Sequence, residues 1–258
     1  MASIKAALPR ALFHWVKNTY NRWRYRILWL RRRTISFAYQ GEVVKLCIVD
    51  PKDYIQKTQL MGRFYEETEL QNIKAAFPKG GVFLDIGSNT GQHAVFVAKF
   101  CGACEVIVVE PIPEAIGIIR ENVKLNHLQT IVDTSMLGVA LGEAGGRMGY
   151  NSFFDNLGGT ILKESKSGVV RVESGDTLLR GRRVDFIKID TEGFEMKVLA
   201  GLEQTILANR PKIFIEVDKS NVPSFLKMME RLEYEAIFKK EYQFNWNYIM
   251  QPRRQASA

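Results

Sequence analysis

The stretch VFLDIGSNTGQHAVFVAKF, residues 82–100, constrains this chain more than any other. It reads as a short apolar strand, a glycine-spaced turn and a helix, the unit that holds nucleotide-like cofactors at the carboxyl end of a parallel strand. The same rhythm continues downstream. EVIVVE (105–110) is a second strand, followed by a helix from Pro113 to about Leu125, and TSMLGVAL is a weaker third strand. VDFIKID (184–190) and PKIFIEV (211–217) are strands separated by one helix, EGFEMKVLAGLEQTILA. A further helix, VPSFLKMMERL, leads into the strand-like runs YEAIFK and FNWNYIM, and upstream ETELQNIKAAF (67–77) is a helix stopped at Pro78. Alternating strands and helices imply an α/β fold, a mostly parallel sheet covered on both faces, and the closing pair implies an antiparallel edge hairpin. Residues 142–175, rich in Gly and Ser, read as a variable excursion.

The turn selects among cofactors. A dinucleotide fingerprint requires G-x-G-x-x-G, but the frame here is Gly87-Ser88-Asn89-Thr90-Gly91-Gln92, with Asn89 and Gln92 where glycine is needed. A phosphate-binding loop fails as well, because no Gly-Lys-Ser/Thr follows. What remains is Asp85 closing the strand, with Gly87, Ser88, Asn89 and Gly91 opening room beside it. A carboxylate there suits a cationic cofactor without phosphate, and S-adenosylmethionine has an ammonium, a sulfonium and no phosphate. Glu110 closes the second strand, where an acid can accept both ribose hydroxyls. Either acid alone reads as a helix cap; the pair with the glycines reads as a cofactor site.

Charge is segregated along the chain. Residues 1–33 carry nine Lys and Arg and no acid; since the whole chain is formally +8, the remainder carries −1. The body therefore gives no reason to expect a nucleic-acid-binding face. In the leader, Phe13, Val16, Tyr20, Trp23, Ile27 and Leu30 form one apolar stripe of a basic helix too often interrupted by charge to span a bilayer. Residues 10–33 fit an anionic membrane surface, so the expected location is cytoplasmic with peripheral membrane contact. Packing on its own domain or on a second subunit, and an organelle transit peptide, are the alternatives. Three cysteines, Cys47, Cys101 and Cys104, make no disulfide framework, and CGAC falls in a helix-to-strand connection where a structural role is expected.

LDIGSNTGQHAVFVA, VVEPIPEAIGIIRENVKLN, VALGEAGG and above all VDFIKIDTEGFEMKVLAGLEQTILANRPKIFIEV resemble the FkbM-type methyltransferases, from about residue 64 to residue 252. The resemblance implies a Rossmann-like seven-stranded sheet, S-adenosylmethionine as donor, and O-methylation of a hydroxyl on a sugar, glycan, glycolipid or natural product. It places Asp85, Gly87, Asn89 and Gly91 in the cofactor turn, Glu110 at the ribose, Lys188, Asp190, Glu192 and Gly193 after the fourth strand, and Glu216 after the fifth. Where family members often carry a Leu-Asp pair upstream of the fourth strand, this chain has Asp176 before Thr177 and Leu178, an acid shifted in role or capping the next helix. Two segments follow: a leader, 1–40, and one methyltransferase domain, 41–258.

Methyl transfer to an aliphatic hydroxyl needs alignment and a nearby base. Strand alternation puts Lys188 and Asp190 on one side of the pleat, with Glu192 opening the next helix. Asp190 or Glu192 is the expected base, and Lys188 with Glu216 the expected structural ion pair. His93, two residues past Gly91, is a further base candidate. No metal is expected at Asp190, Glu216 and Asp218, since Lys219 stands where a neutral amide ligand would be wanted and Lys188 would repel a cation. The rival readings are a nucleic-acid methyltransferase, against which stands the missing Asn/Asp-Pro-Pro-aromatic motif, and a membrane-surface adaptor that binds cofactor without turnover. Phe153 and Phe154 fit a sugar-stacking role or a core plug, and the sequence does not choose.

Overall fold

The computed structural model describes residues 23–24, 27–153, 156–165 and 168–254. The body opens on a hairpin, β1 (Arg33–Tyr39) and β2 (Glu42–Ile48), then two helices, α1 (Tyr54–Gln59) and α2 (Glu67–Ala76). Two strand–helix units follow: β3 (Val82–Ile86) with α3 (Gln92–Phe100), and β4 (Glu105–Val109) with α4 (Pro113–Leu125). After the two-residue β5 (Val132–Asp133) comes an excursion of β6 (Val139–Gly142), β7 (Gly146–Phe153), β8 (Asn156–Glu164), β9 (Val170–Ser174) and the short α5 (Gly175–Leu178). The chain returns through β10 (Phe186–Ile189), α6 (Glu195–Gly201), α7 (Glu203–Asn209), β11 (Lys212–Asp218) and α8 (Val222–Arg231), and closes on β12 (Tyr234–Glu241) and β13 (Asn245–Pro252).

The apolar runs lie at the centre of a seven-stranded sheet in the order β12-β13-β11-β10-β3-β4-β5, because a strand covered on both faces can be apolar at every position. The five strands from β11 to β5 are parallel, and the expected antiparallel hairpin, β12–β13, forms the edge beside β11. The chain runs outward from β3 to β5, then passes back to β10 and β11, so strand order reverses between β3 and β10. Open α/β sheets hold their ligands at such a reversal.

Alternate side chains face opposite layers. Phe83, Val106, Val108, Phe186 and Phe214 pack with Phe64, Ile73 and Phe96 under α2, α3 and the first hairpin. Leu84, Ile86, Ile107, Val109, Ile187, Ile189 and Ile213 pack on the other face with Val198, Leu202, Ile206 and Phe225. Asn122 of α4, fully buried, accepts from the Cys47 amide at 2.7 Å and donates to the Thr90 carbonyl at 2.7 Å. One side chain thus ties the first hairpin to the turn after β3.

Four expectations change. The third strand of the main sheet is β5, two residues upstream of TSMLGVAL, and that segment supplies β6, which pairs with β9 instead. The excursion is a second sheet, ordered β6-β9-β7-β8. The long helix expected from residue 192 is two helices broken after Gly201, where a Cβ would lie 1.9 Å from the Gly142 carbonyl oxygen. The boundary at residue 40 falls in the turn of the β1–β2 hairpin, so residues 33–39 go with the body.

Phe13, Val16 and Tyr20 lie outside the described residues, as do Phe154 and the side chain of Phe153. Of the leader helix, the described parts are residues 23–24 and one turn at 27–30. There Leu28 and Trp29 pack on Cys47, Val49 and Ile118, while Trp23, Ile27 and Leu30 face outward. Among the described residues, no helix is long and apolar enough to cross a membrane. Cys101 and Cys104 are free, at the end of α3 and just before β4; burial pushes the Cys101 thiol up to about 12, which leaves little thiolate.

Candidate active site

The turn after β3 is shaped by contact with β10. Gly87 has φ +77°, and a Cβ there would lie 1.8 Å from the Asp190 carbonyl oxygen, so only glycine allows the two strand ends to meet. Ser88, buried, donates its hydroxyl to the Asp85 carbonyl at 2.8 Å and braces the turn from behind. Asn89 adopts φ +50° and donates its backbone N–H to Glu110 Oε2 at 2.9 Å. Gly91 caps α3 and lies against Ile119. Gln92, which breaks the dinucleotide pattern, accepts from the Tyr65 amide at 2.9 Å and donates to the Tyr65 carbonyl at 3.1 Å. This clamp carries the segment before α2 to the side of the turn.

Gly87, Asn89, Glu110, Asp190, Glu192 and Glu216 meet around a cleft of about 570 Å³ at the carboxyl ends of β3, β4, β10 and β11. Such a volume is ordinary for a small-molecule site. Tyr54, Tyr65 and Glu66 form one wall, Asn245 and Asn247 of β13 another, and Leu157, Gly158 and Thr160 of β8 a roof. Glu110 accepts from the Ile112 and Asn89 amides at 2.9 Å each; burial raises its carboxyl to about 7, and these two N–H groups hold it back from going higher.

Asp85 does not face this cleft. It is fully buried beneath the turn, where Lys188 Nζ lies 3.4 Å from its Oδ1. The same ammonium lies 3.5 Å from Asp190 Oδ2 and donates to the Gly87 carbonyl at 3.1 Å. Register explains the pairing: Lys188 is directly opposite Asp85 on β3 and Phe214 on β11, two residues short of Glu216. The expected Lys188–Glu216 pair is therefore replaced by Lys188–Asp85, and Glu216 instead receives the Asn245 side-chain amide. Burial would lower the Lys188 pKa, but Asp85, Asp190 and Glu66 outweigh it and raise it. For Asp85, burial pushes the carboxyl up and Lys188 pulls it back.

The remaining acids crowd one another. Burial, then Asp190, raises Glu66 to about 7, and burial, then Asp190, Glu66 and Glu192, raises Glu216 to about 9. Glu192 sits at the mouth in a left-handed turn, three residues before α6 rather than opening it. The protein around it, then Asp190 and Glu195, pushes its carboxyl up to about 7. Glu66, Asn89 and Glu192, all non-glycine residues with positive φ, line the same cleft; such backbone outliers gather at functional sites. His93 is buried behind the turn, its Nε2 3.9 Å from Glu66 and without a hydrogen bond, and burial and then Lys188 lower its pKa. It does not reach the cleft.

Sequence reasoning missed Tyr65, Glu66, Asn245 and Asn247. Glu66 stands one residue before an expected helix and Asn247 inside an expected strand, and neither position carries a spacing signal. Asp176, the departure from the family pattern, caps α7 by accepting from the Gln204 and Thr205 amides at 3.0 and 2.7 Å. Among the described residues, no three or more acidic, His or Cys side chains form a metal site.

A parallel sheet with its cleft at the reversal of strand order, closed by an antiparallel hairpin, is the Rossmann-like architecture of methyltransferases. The methyltransferase FkbM domain matches residues 85–245, and the chain belongs to that family. Among solved structures it is similar to the FkbM methyltransferase of Methylobacillus flagellatus KT, with 17% identity and a TM-score of 0.52 over 67% of this chain. This chain spans 44% of that protein's length. It is also similar to a ribosomal protein L11 methylase of Lactobacillus delbrueckii subsp. bulgaricus, at 16% identity and TM-score 0.48, covering 72% of this chain and 78% of that one. Methanocaldococcus jannaschii Trm5 in complex with adenosine gives 14% identity and TM-score 0.49 over 87% of this chain and 56% of that one. No curated protein matches the chain closely enough to serve as a relative.

Proposed function

We propose that this chain is an S-adenosylmethionine-dependent O-methyltransferase acting on a hydroxyl of a sugar, glycan, glycolipid or natural product. The observation that carries the reading is Glu110. It closes β4 beside the Gly87–Asn89 turn and faces the cleft with a carboxylate fixed by two backbone N–H groups.

The donor set fits such a cofactor. The described lining residues supply no Lys or Arg for a phosphate, Glu110 could accept two ribose hydroxyls, and Ile112 and Leu141 give apolar walls for a purine. The buried Asn89 Oδ1 has no partner within the protein, leaving an acceptor for a ligand N–H or O–H. When bound, S-adenosylmethionine supplies a methyl group on a sulfonium that needs no acid to leave. The chain's task is then to orient the acceptor hydroxyl and take its proton. Glu192, at about 7, balances basicity against ionisation near neutral pH, and Asp190 lies beside it. Lys188 positions Asp190 and the turn rather than touching the acceptor.

Calorimetric titration with S-adenosylhomocysteine tests the reading. Saturable binding is expected, weakened by roughly 10- to 100-fold in Glu110→Gln through loss of a charge-assisted contact. No binding, or an unchanged affinity in the variant, would refute it.

The leader fits a membrane-surface role as part of the same proposal. Its described part leaves Trp23, Ile27 and Leu30 outward while Leu28 and Trp29 hold the body, which would keep the outward face for lipid.

A further inference from the structure

Among the described residues the cleft is lined by six carboxylates and by no Lys, Arg or His. Glu110 is assigned above to the donor's ribose, and Glu69 is paired with Lys240 at 3.0 Å. Asp190 shares Lys188 with Asp85. That leaves Glu66, Glu192 and Glu216 in the cleft; Lys188, already shared by Asp85 and Asp190, only partly offsets Glu66 and Glu216, whose carboxyls stay raised.

A second feature is independent of the acids. Asn247 is 2% exposed and lines this cleft, yet its Oδ1 has no hydrogen-bond partner. A buried orphan acceptor of this kind calls for a ligand that donates. At the rim, Tyr54 and Phe244 are 62% and 71% exposed, large aromatic faces beside a polar floor. Aromatic faces over carboxylates and an amide suit a sugar ring, whose C–H face is apolar and whose edge is polar.

Resting on the methyltransferase reading above, we propose that the acceptor is an amino sugar, bearing a protonated amine near the hydroxyl that is methylated. Acceptors bearing phosphate or carboxylate are rejected by the same cleft. An ammonium offers three donors and a positive charge, which Glu66, Glu216 and Asn247 together can satisfy. A neutral hydroxyl offers one donor and leaves the mutual repulsion of the acids in place. Burial first, and then that repulsion, raises the Glu66 and Glu216 carboxyls in the free protein.

The test uses the full chain saturated with S-adenosylhomocysteine, titrated calorimetrically with D-glucosamine, D-glucose and D-glucose 6-phosphate. Glucosamine is expected to bind roughly tenfold or more tightly than glucose, as a charged hydrogen bond would give, with no binding of the phosphate. Glu216→Gln is expected to narrow the glucosamine-to-glucose ratio severalfold. If S-adenosylhomocysteine binds but glucose equals glucosamine, or neither sugar binds, the amino-sugar inference is overturned and the methyltransferase reading stands. If S-adenosylhomocysteine itself does not bind, the parent reading falls first.

Discussion

Replacing Lys188 by Met removes the ion-pair partner of Asp85 while keeping the length of the side chain. Asp85 is fully buried, neither of its oxygens has a hydrogen bond, and Lys188 Nζ at 3.4 Å is its ion-pair partner. Breaking a buried pair from one side costs about 3–5 kcal/mol, because a charge is left without compensation or must take up a proton. For a chain of this size that corresponds to a fall of roughly 10 °C in melting temperature. Lys188→Met combined with Asp85→Asn removes both charges. It should be more stable than the sum of the two single losses by about 2 kcal/mol, the coupling expected of residues in contact. Urea unfolding followed by circular dichroism measures all four corners of this cycle. A single-variant loss below about 1 kcal/mol, or additive losses, would refute the argument that this pair carries the junction of β3 and β10.

Two more outcomes follow from charges already described. Glu66, Glu110 and Glu192 are raised from 4.5 to about 7, and Glu216 to about 9, in the folded chain. Between 4.5 and those values the unfolded chain has released protons that the folded chain keeps, so stability falls as pH rises, and levels off above about 9. The melting temperature of the ligand-free protein is therefore expected to fall from pH 5 to pH 9, and Glu216→Gln to flatten the upper part of that fall; a rising curve contradicts it. For the leader, the full chain is expected to float with vesicles containing phosphatidylserine, less so at high salt, while Trp23→Ser/Leu30→Ser stays at the bottom of the gradient; equal flotation of both would remove the membrane role.

The strands that make the sheet were legible because they are buried on both faces. VFLDI, EVIVV, FIKI and KIFIEVD are apolar at nearly every position, which few other settings allow. Glu110 was legible for a related reason, as an acid closing such a run. The role of Asp85 was not, since it depends on which residue of β10 lies across from it, a register set by chain more than 100 residues away. The second sheet was hidden because GRMGYNSF and NLGGTILKE carry glycines and polar residues with weak alternation. Glu66 and Asn247 were hidden because tertiary contacts bring them to the cleft. Gln92 clamps Tyr65 beside the turn, and the pairing of β13 with β11 places Asn247 opposite Glu216.

The stretch by which the chain is recognised, 85–245, contains the floor and roof of the cleft but only part of its walls. Tyr54, Tyr65 and Glu66 precede it, and Asn247 follows it. Two members of the family can therefore agree throughout the recognisable stretch and still differ at Glu66 and Asn247, two of the groups an acceptor would touch. An acceptor assigned by likeness over that stretch alone would leave the wall of Tyr54, Tyr65 and Glu66 out of account.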